Sequence, residues 1–348
     1  MASVWVAMSG GVDSSVAAAR LVGQGHRVTG VTMQLLPEGD EPGRCCSTDA
    51  VRAARRVCDL LGIEHYTLNM RDAFEADVVD PFVKAYASGR TPNPCIACND
   101  RLKFALLLAR ARTHGAEALA TGHYARIVSD DIGGCWLHRA RDPAKDQSYF
   151  LYRLAEPAIE SVWFPLGDTT KAEVRAEARS LGLPTAERPE SQEVCFVPQD
   201  AGSFVAARVP SAGSSGPILD EHCERVGTHG GVGRYTIGQR KGLGVAGGPW
   251  FVSEIRPATN TVVVAHGSPV PVISIALEDV VWRDAACARV AAVVRYRSDP
   301  IPASVTPTSD GGALVELDLP VAGVAPGQAV VCYTGDRVVG GGVVRATR

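Results

Sequence analysis

Along roughly the first two hundred residues, apolar positions switch between a continuous strand-like run and a helical spacing. Val4 to Met8 is an apolar run of strand length, and Val16, Ala19 and Leu21 then carry a helical pattern to about Gly23. The order repeats as a strand at Arg27 to Leu35 and a helix from about Asp49 to Leu61, then a strand at Glu64 to Asn69 and a helix near Ala73 to Ala87. A further helix starting near Asn99 places Leu102, Leu106 and Ala109 on one face and leads to the apolar segment Ala118 to Ala120. Such alternation predicts an α/β fold, a parallel sheet with helices on both faces. Near its end, Thr170 to Glu173 reads as a capping box, Val174, Ala178 and Leu181 form an apolar stripe, and Gly182 and Pro184 stop the helix.

After Pro210 the texture changes. The stretch SAGSSGP reads as a linker, and short alternating segments with many glycines follow. Thr261 to Ala265, Ala288 to Tyr296, Ala313 to Leu317, Ala329 to Tyr333 and Val338 to Ala346 are expected to be strands of one or two small barrels. The segment PVPVI interrupts the pattern near residue 273. The chain therefore divides into an α/β domain over 1–208, a small β-rich central domain over 209–272 and a C-terminal β-barrel over 273–348.

The first strand ends in SGGVDSS, a glycine-serine loop that turns directly into a helix. Gly10 and Gly11 permit close backbone approach, and the free N–H groups of the helix start, with the hydroxyls of Ser9, Ser14 and Ser15, are suited to one anion. The loop lacks the Gly-Lys-[Ser/Thr] ending that supplies a lysine to a γ-phosphate, so it reads as a pyrophosphate cradle rather than phosphoryl-transfer machinery. A tight strand-to-helix turn without a ligand is the plain alternative.

Composition narrows the class. A chain of 348 residues, 46% apolar, holds more than one core, and 35 Lys+Arg against 38 Asp+Glu leave any nucleic-acid partner to local basic surface. No basic n-region precedes an apolar h-region and no run reaches membrane-span length, which predicts a cytoplasmic protein without membrane association. Its ten cysteines are then expected to be reduced thiols available for chemistry. Two stand out. Cys98 lies in TPNPCIACN, and the helical pattern from Asn99 places it at or just before a helix start, where the positive helix end with Arg101 and Lys103 favours a thiolate. Cys195 lies in ESQEVCF, after the segment PTAERPES. Polar and proline neighbours disfavour the reading of either as a core cysteine.

These residues carry a family resemblance. SGGVDSS, VTMQLL, TPNPCIACN with RLKF, ATGHYAR, KDQSYFLYRL, LGDTTKAEVR, ESQEVCF, GRYTIGQRKGLG, VVRYR and PGQAVVCY with GGGVV occur in family order. The chain resembles the tRNA-specific 2-thiouridylases of the MnmA family, within the PP-loop ATP pyrophosphatases, over essentially its whole length. The resemblance implies a PP-loop (adenine nucleotide alpha hydrolase-like) domain, a small central domain and a C-terminal β-barrel that binds tRNA. It implies a tRNA-uridine 2-sulfurtransferase that consumes ATP, with Mg²⁺, to replace O2 of a wobble uridine by sulfur. It assigns ATP to Ala7, Met8, Ser9, Gly10, Gly11, Val12, Asp13 and Ser14, with Met33 and Gly122 near the adenosine. It makes Cys98 the nucleophile and Cys195 the persulfide carrier, with a disulfide between them once sulfur is delivered; Asp13 is either a Mg²⁺-linked carboxylate or a helix-start residue favoured by the dipole.

For the anticodon stem-loop of tRNA the resemblance points to Asn93, Pro94 and Cys95 beside the target base, and to His123, Lys145, Asp146, Gln147, Arg295, Tyr296 and Gln328. Basic side chains neutralise phosphate, amides read base edges and a tyrosine stacks or hydrogen-bonds to a flipped base. A cysteine desulfurase or sulfur-relay protein is implied as donor. Some family members have aspartate where this chain has Cys95, which opens a second route: Cys95, Cys98 and Cys195 as three ligands of a [4Fe-4S] cluster. A structural zinc site competes with it, although Cys45 and Cys46 make poor tetrahedral partners. Rival classes are another PP-loop synthetase, which would not need Cys98 and Cys195, and a nonenzymatic RNA-binding scaffold, which would not need SGGVDSS.

Overall fold

The structure, a computed structural model, describes residues 1–348 except 38–47, 132, 156, 190–193, 199, 270 and 285–287. Cys45, Cys46 and the first four residues of ESQEVCF thus lie outside the described residues. The chain forms two compact units, the first comprising 1–78, 95–196 and 336–338, the second 79–94, 197–335 and 339–348.

The first unit is built on β1 (Ser3–Ala7), β2 (Arg27–Gln34), β3 (Glu64–Asn69), β4 (Ala118–Thr121) and, after the hairpin β5 (Arg126–Ser129) and β6 (Cys135–His138), β7 (Val162–Trp163). The order is β3-β2-β1-β4-β7, and every pairing is parallel. Strand alternation sends successive side chains to opposite faces. Val4, Val6, Ala118 and Ala120 enter a core with Val16, Ala17 and Leu21 of α1 (Val12–Gly23), Ala54 and Val57 of α2 (Thr48–Leu61), and Val174 and Ala178 of the helix Lys171–Ser180. Trp5 and Leu119, out of phase with them, are buried toward the other face, where the Trp5 ring lies 5.4 Å from that of His114. The helices therefore cover both faces, as the alternation predicts.

The capping box forms. The Thr170 Oγ1 accepts from the Glu173 N–H at 3.3 Å, and Glu173 Oε2 accepts from the Thr170 N–H at 2.7 Å. Leu181 does not join the stripe: the helix ends at Ser180 and Leu181 is an exposed C-cap, while Lys171, three residues before Val174, takes the buried position. Thr170→Ala removes a cap, a loss of about 1 kcal/mol of local stability. Hydrogen exchange of the Glu173 amide is expected to accelerate roughly fivefold; an unchanged rate would show that the cap does not hold this turn.

The helix carrying Cys98 departs further from expectation. It runs over 94–113, with a π-helical stretch at Cys98–Leu107 between α-helical ends Pro94–Ala97 and Leu108–Thr113. Its buried side chains include Leu102, Phe104, Leu107, Leu108 and Ala111; Ala109 is exposed and Leu106 half-buried. The wider i→i+5 turn shifts the apolar face, so Leu102 is joined by Leu107 rather than by Leu106.

In the second unit, β8 (Gly216–Leu219), β9 (Arg225–His229), β10 (Trp250–Arg256) and β11 (Thr261–His266) form a sheet of order β10-β11-β8-β9 over a core of Ile218, Val252, Val262 and Val264. SAGSSGP is partly structural, since its last two residues begin β8. Next come β12 (Val272–Trp282), β13 (Arg289–Val293), β14 (Ile301–Pro307), β15 (Ala313–Val321), β16 (Ala329–Thr334) and β17 (Arg337–Thr347). They follow the order β12-β15-β14-β13-β16-β17, and β12 also pairs with β17, so the sheet closes into a barrel. Closure removes free edges, and Ile275, Ala292, Val315, Val330 and Val339 fill the interior. Among the described residues no helix is long and apolar enough to cross a membrane.

Candidate active site

Strand β1 lies between β2 and β4, so the chain leaves it in opposite directions on its two sides; the crevice beyond the carboxyl ends of β1 and β4 is where open α/β sheets bind ligands. Ser9, Gly10 and Gly11 occupy one lip of it. Gly10 has φ +73°, and a Cβ there would lie 2.8 Å from Ala50 Cα. Gly11 is the N-cap of α1 and supplies no side-chain cap, which leaves the first-turn N–H groups to an incoming anion. Gly122, just past β4, forms the other lip: a Cβ on it would stand 2.6 Å from the Ser14 nitrogen and 2.7 Å from the Asp13 carbonyl carbon. Met33 is half-buried near the end of β2, and Met8 is buried at the end of β1.

The three hydroxyls of the loop do not act alike. Ser9 is exposed, its N–H donates to Ser14 Oγ at 3.1 Å and its Oγ meets Ser14 Oγ at 3.2 Å. Ser15, expected to face the anion, is instead fully buried, donating to the Gly11 carbonyl at 2.8 Å and accepting from Thr185 Oγ1 at 2.9 Å. One turn of helix separates its direction from that of the loop, so it ties the loop to the fold.

Asp13 gathers partners from distant sequence. Lys171 Nζ lies 2.7 Å from both of its carboxylate oxygens, and the Tyr124 hydroxyl donates to Oδ1 at 2.8 Å. The ammonium is also 5.7 Å from the centre of the Tyr124 ring. Sequence reasoning passed over Lys171 because it sits inside the capping box. A signal existed: a lysine in the first turn of a helix opposes the helix dipole, so a local structural role does not account for it.

Around the thiols, one expectation is corrected. The helix begins at Pro94, not Asn99, because proline is pre-organised for the first helical position. Cys95 is thus the exposed residue in the first turn and Cys98 lies half-buried one turn on, where the helix-end field has largely faded. Next to Cys98, Asn99 is buried, donating from Nδ2 to the Phe150 carbonyl at 3.1 Å and accepting from Lys103 Nζ at 2.9 Å. Lys103 in turn lies 3.5 Å from His123 Nε2, while His123 Nδ1 lies 2.7 Å from Thr121 Oγ1. Burial, then the Lys103 ammonium, push the His123 imidazole well below its ordinary range. His123 is therefore neutral at pH 7, with Nε2 as the acceptor facing Lys103, and offers hydrogen bonding rather than charge.

Cys195 is half-buried beside Phe196, whose ring packs edge-on against Phe74 at 5.5 Å. The short helix Arg71–Phe74 packs in turn on the Cys98–Leu107 stretch. This chain of contacts leads the Cys195 segment toward the helix that bears Cys98, and both residues carry thiols. Among the described residues no three His, Cys, Asp or Glu side chains are grouped to hold a metal ion. Cys95, Cys98 and Cys195 accordingly do not fit a [4Fe-4S] cluster, and no step is derived through one.

Of the residues expected at tRNA, Lys145 is half-exposed and Asp146 is buried, with Oδ1 accepting from the Ala140 and Ser148 amides. Gln147 exchanges hydrogen bonds with Tyr124 through its own N–H and its Oε1. Asp146 and Gln147 thereby set the loop that presents Lys145. In the second unit Arg295 is exposed, Tyr296 is half-exposed beneath the Arg297 guanidinium, and the Gln328 Oε1 accepts from the Ala325 N–H at 3.2 Å. Asn93 and Pro94 belong to this unit as well.

Comparison with known proteins agrees along the chain. Residues 2–199 match the tRNA methyl transferase HUP domain, 202–266 the tRNA methyl transferase PRC-barrel domain and 274–344 the aminomethyltransferase beta-barrel domain. A tRNA-specific 2-thiouridylase MnmA of Chloroflexus aurantiacus is 46% identical over 351 residues, covering 98% of each chain. That of Moorella thermoacetica is 47% identical over 352 residues, covering 98% of this chain and 99% of its own. A solved 4-thiouridine synthetase in complex with RNA and ATP covers 60% of this chain and 51% of its own at 19% identity, with a TM-score of 0.39, too slight a likeness to argue from. With nearly half of all positions identical over 98% of its length, this chain belongs to the tRNA-specific 2-thiouridylase MnmA family.

Proposed function

We propose that the protein is a tRNA-uridine 2-sulfurtransferase that adenylates O2 of a wobble uridine and replaces it with sulfur. ATP occupies the crevice formed by Ala7 to Ser14, Met33 and Gly122, with its phosphates on the first-turn N–H groups of α1. The anticodon stem-loop is held by the central sheet and barrel, assigned to 209–272 and 273–348, through Arg295, Tyr296 and Gln328, and by Asn93, Pro94, Cys95, His123 and Lys145. Asp13 is the one carboxylate of the loop, but Lys171 Nζ engages both of its oxygens and the Tyr124 hydroxyl donates to Oδ1, so it does not by itself fit a Mg²⁺ ion; Mg²⁺ would enter with the nucleotide and supply charge neutralisation there, and no step is derived through it.

Chemistry dictates the order. A carbonyl oxygen is a poor leaving group, whereas O2 carrying AMP departs readily, so uridine O2 attacks the α-phosphorus and pyrophosphate leaves first. A protein donor, a cysteine desulfurase or sulfur-relay protein, leaves a persulfide on Cys195. Its terminal sulfur then becomes bonded to C2 as AMP leaves, and the Cys98 thiol takes the remaining Cys195 sulfur, closing a Cys98–Cys195 disulfide. Sulfur reaches the base directly or after Cys98 has attacked the persulfide and released hydrosulfide. In both routes the sulfane sulfur is reduced by two electrons and the two thiols are oxidised, so an external dithiol reductant resets the enzyme.

The observation that carries the reading is the uncapped glycine loop at the β1/β4 switch point, with Gly122 packed on Asp13 and Ser14, in one unit with Cys98 and Cys195. The test is nucleoside mass spectrometry of tRNA incubated with the protein, ATP–Mg²⁺ and a persulfide donor. 2-Thiouridine is expected, with AMP and pyrophosphate formed in equal amounts. Stoichiometric ADP would remove the adenylation step, and thiol-independent turnover would point to another PP-loop synthetase.

A further inference from the structure

The segment between the helix Asp80–Ala87 and Pro94 is gripped from two sides within the second unit. Gly89, at φ +73°, passes so close to the central sheet that a Cβ would meet Ile255 Cγ2 and Pro257 Cγ at 3.2 Å. Arg90 forms an ion pair with Glu278 of β12 and donates to the Val344 carbonyl of β17 at 3.3 Å. The Thr91 N–H donates to the Pro326 carbonyl at 2.8 Å, and its hydroxyl meets Thr236 Oγ1 at 3.2 Å. Gly327, at φ +91°, makes this approach possible, since a Cβ there would stand 2.8 Å from the Thr91 nitrogen.

The same barrel turn carries Gln328. Its backbone N–H donates to the Ala325 carbonyl, and its side-chain oxygen accepts from the Ala325 N–H; Gly327 N–H and Gln328 carbonyl are pinned in turn to Val344. The turn is thus over-determined by hydrogen bonds, and it holds Thr91 two residues before Asn93. We propose that Arg90, Thr91 and Gly327 are positioning residues that lock Asn93 and Pro94 to Gln328 as one anticodon-reading element. This rests on the tRNA thiolation reading above. Its consequence is that these residues act on the placement of the base and not on the affinity for the tRNA body, because the Arg90 side chain is engaged by Glu278 and the Val344 carbonyl and the Thr91 hydroxyl by Thr236.

The experiment is steady-state thiolation of full-length wild-type and variant protein, with tRNA dissociation constants measured in parallel. Gly327→Ala forces the Thr91 backbone away, and displacement of reacting groups on the order of 1 Å lowers kcat roughly 100-fold; the tRNA dissociation constant and KM are expected to stay within about threefold. Arg90→Glu sets two carboxylates together and is expected to lower kcat about tenfold, with Arg90→Glu/Glu278→Arg restoring it to within roughly threefold of wild type. Should Gly327→Ala fail to fold, the charge-swap series carries the test alone. Variants with wild-type kcat, a double variant no better than Arg90→Glu, or losses that appear only in tRNA affinity overturn the inference while the functional reading stands. A wild-type protein that makes no 2-thiouridine overturns that reading, and the inference with it.

Discussion

Cys98→Ser and Cys195→Ser proteins are each expected to form no 2-thiouridine while binding tRNA as wild type does. Serine preserves size and hydrogen bonding but carries no sulfane sulfur, and it cannot close or open a disulfide. The two losses differ in kind. Cys195→Ser is expected to acquire no persulfide from a donor, whereas Cys98→Ser is expected to load one on Cys195 and then stall. Trapping of donor-treated protein with a thiol-selective alkylating reagent, followed by peptide mass spectrometry, reads this difference directly. Multiple turnovers at wild-type rate by either variant would remove that residue from the sulfur relay. Because Cys98 lies one turn inside its helix instead of at the helix end, the effect of Cys98→Ser is chemical and not a matter of capping.

The second large effect is expected at Lys171. Its ammonium lies 2.7 Å from both oxygens of Asp13, in a side chain only 11% exposed, so little solvent screens it. Lys171 reaches the phosphate loop through Asp13, and the pair is in place before triphosphate enters the crevice. Pre-organised charge of this kind is worth a factor of about 10² to 10³ in rate. Lys171→Ala is therefore expected to lower formation of AMP and pyrophosphate by that factor, with tRNA affinity unchanged. Lys171→Arg keeps a cation that can pair with both Asp13 oxygens and lie beside the Tyr124 ring, and is expected to recover part of the rate. Single-turnover quench measurements with labelled ATP decide it. Rates within threefold of wild type for Lys171→Ala would confine the residue to a structural ion pair. A general loss of fold would appear as a lowered unfolding midpoint, from which Asp13→Asn, keeping size and the Tyr124 partner, gives an independent comparison.

Both expectations illustrate how unevenly the site was legible. The phosphate loop could be read at sight because its chemistry is local: glycines, hydroxyls and a helix start lie within seven residues. Cys98 and Cys195 stood out through their polar and proline-rich surroundings, and the family motifs named their partners. Ser15 was misread, since whether a hydroxyl faces the ligand or the core depends on what packs behind it, here Thr185. The stripe ending at Leu181 was misread for a similar reason: a C-cap has the spacing of a buried position but not its direction. On the Cys98 helix, a single widened turn shifts every later side chain, and hydrophobic spacing assumes an ordinary period throughout.

The parallel α/β half, the β-rich half, the glycine-serine loop and the polar, proline-rich settings of Cys98 and Cys195 are legible in the chain alone, because each is encoded in a run of neighbouring residues whose period or turn residues act locally. Tertiary structure alone decided the β3-β2-β1-β4-β7 order that opens the crevice, the pairing of Lys171 with Asp13, the packing of Gly122 on the loop, and the clamp of Thr91 by the barrel turn. Those are contacts between groups far apart in the chain. No local pattern specifies them, since they arise only when buried faces and strand register bring distant backbone within hydrogen-bonding reach.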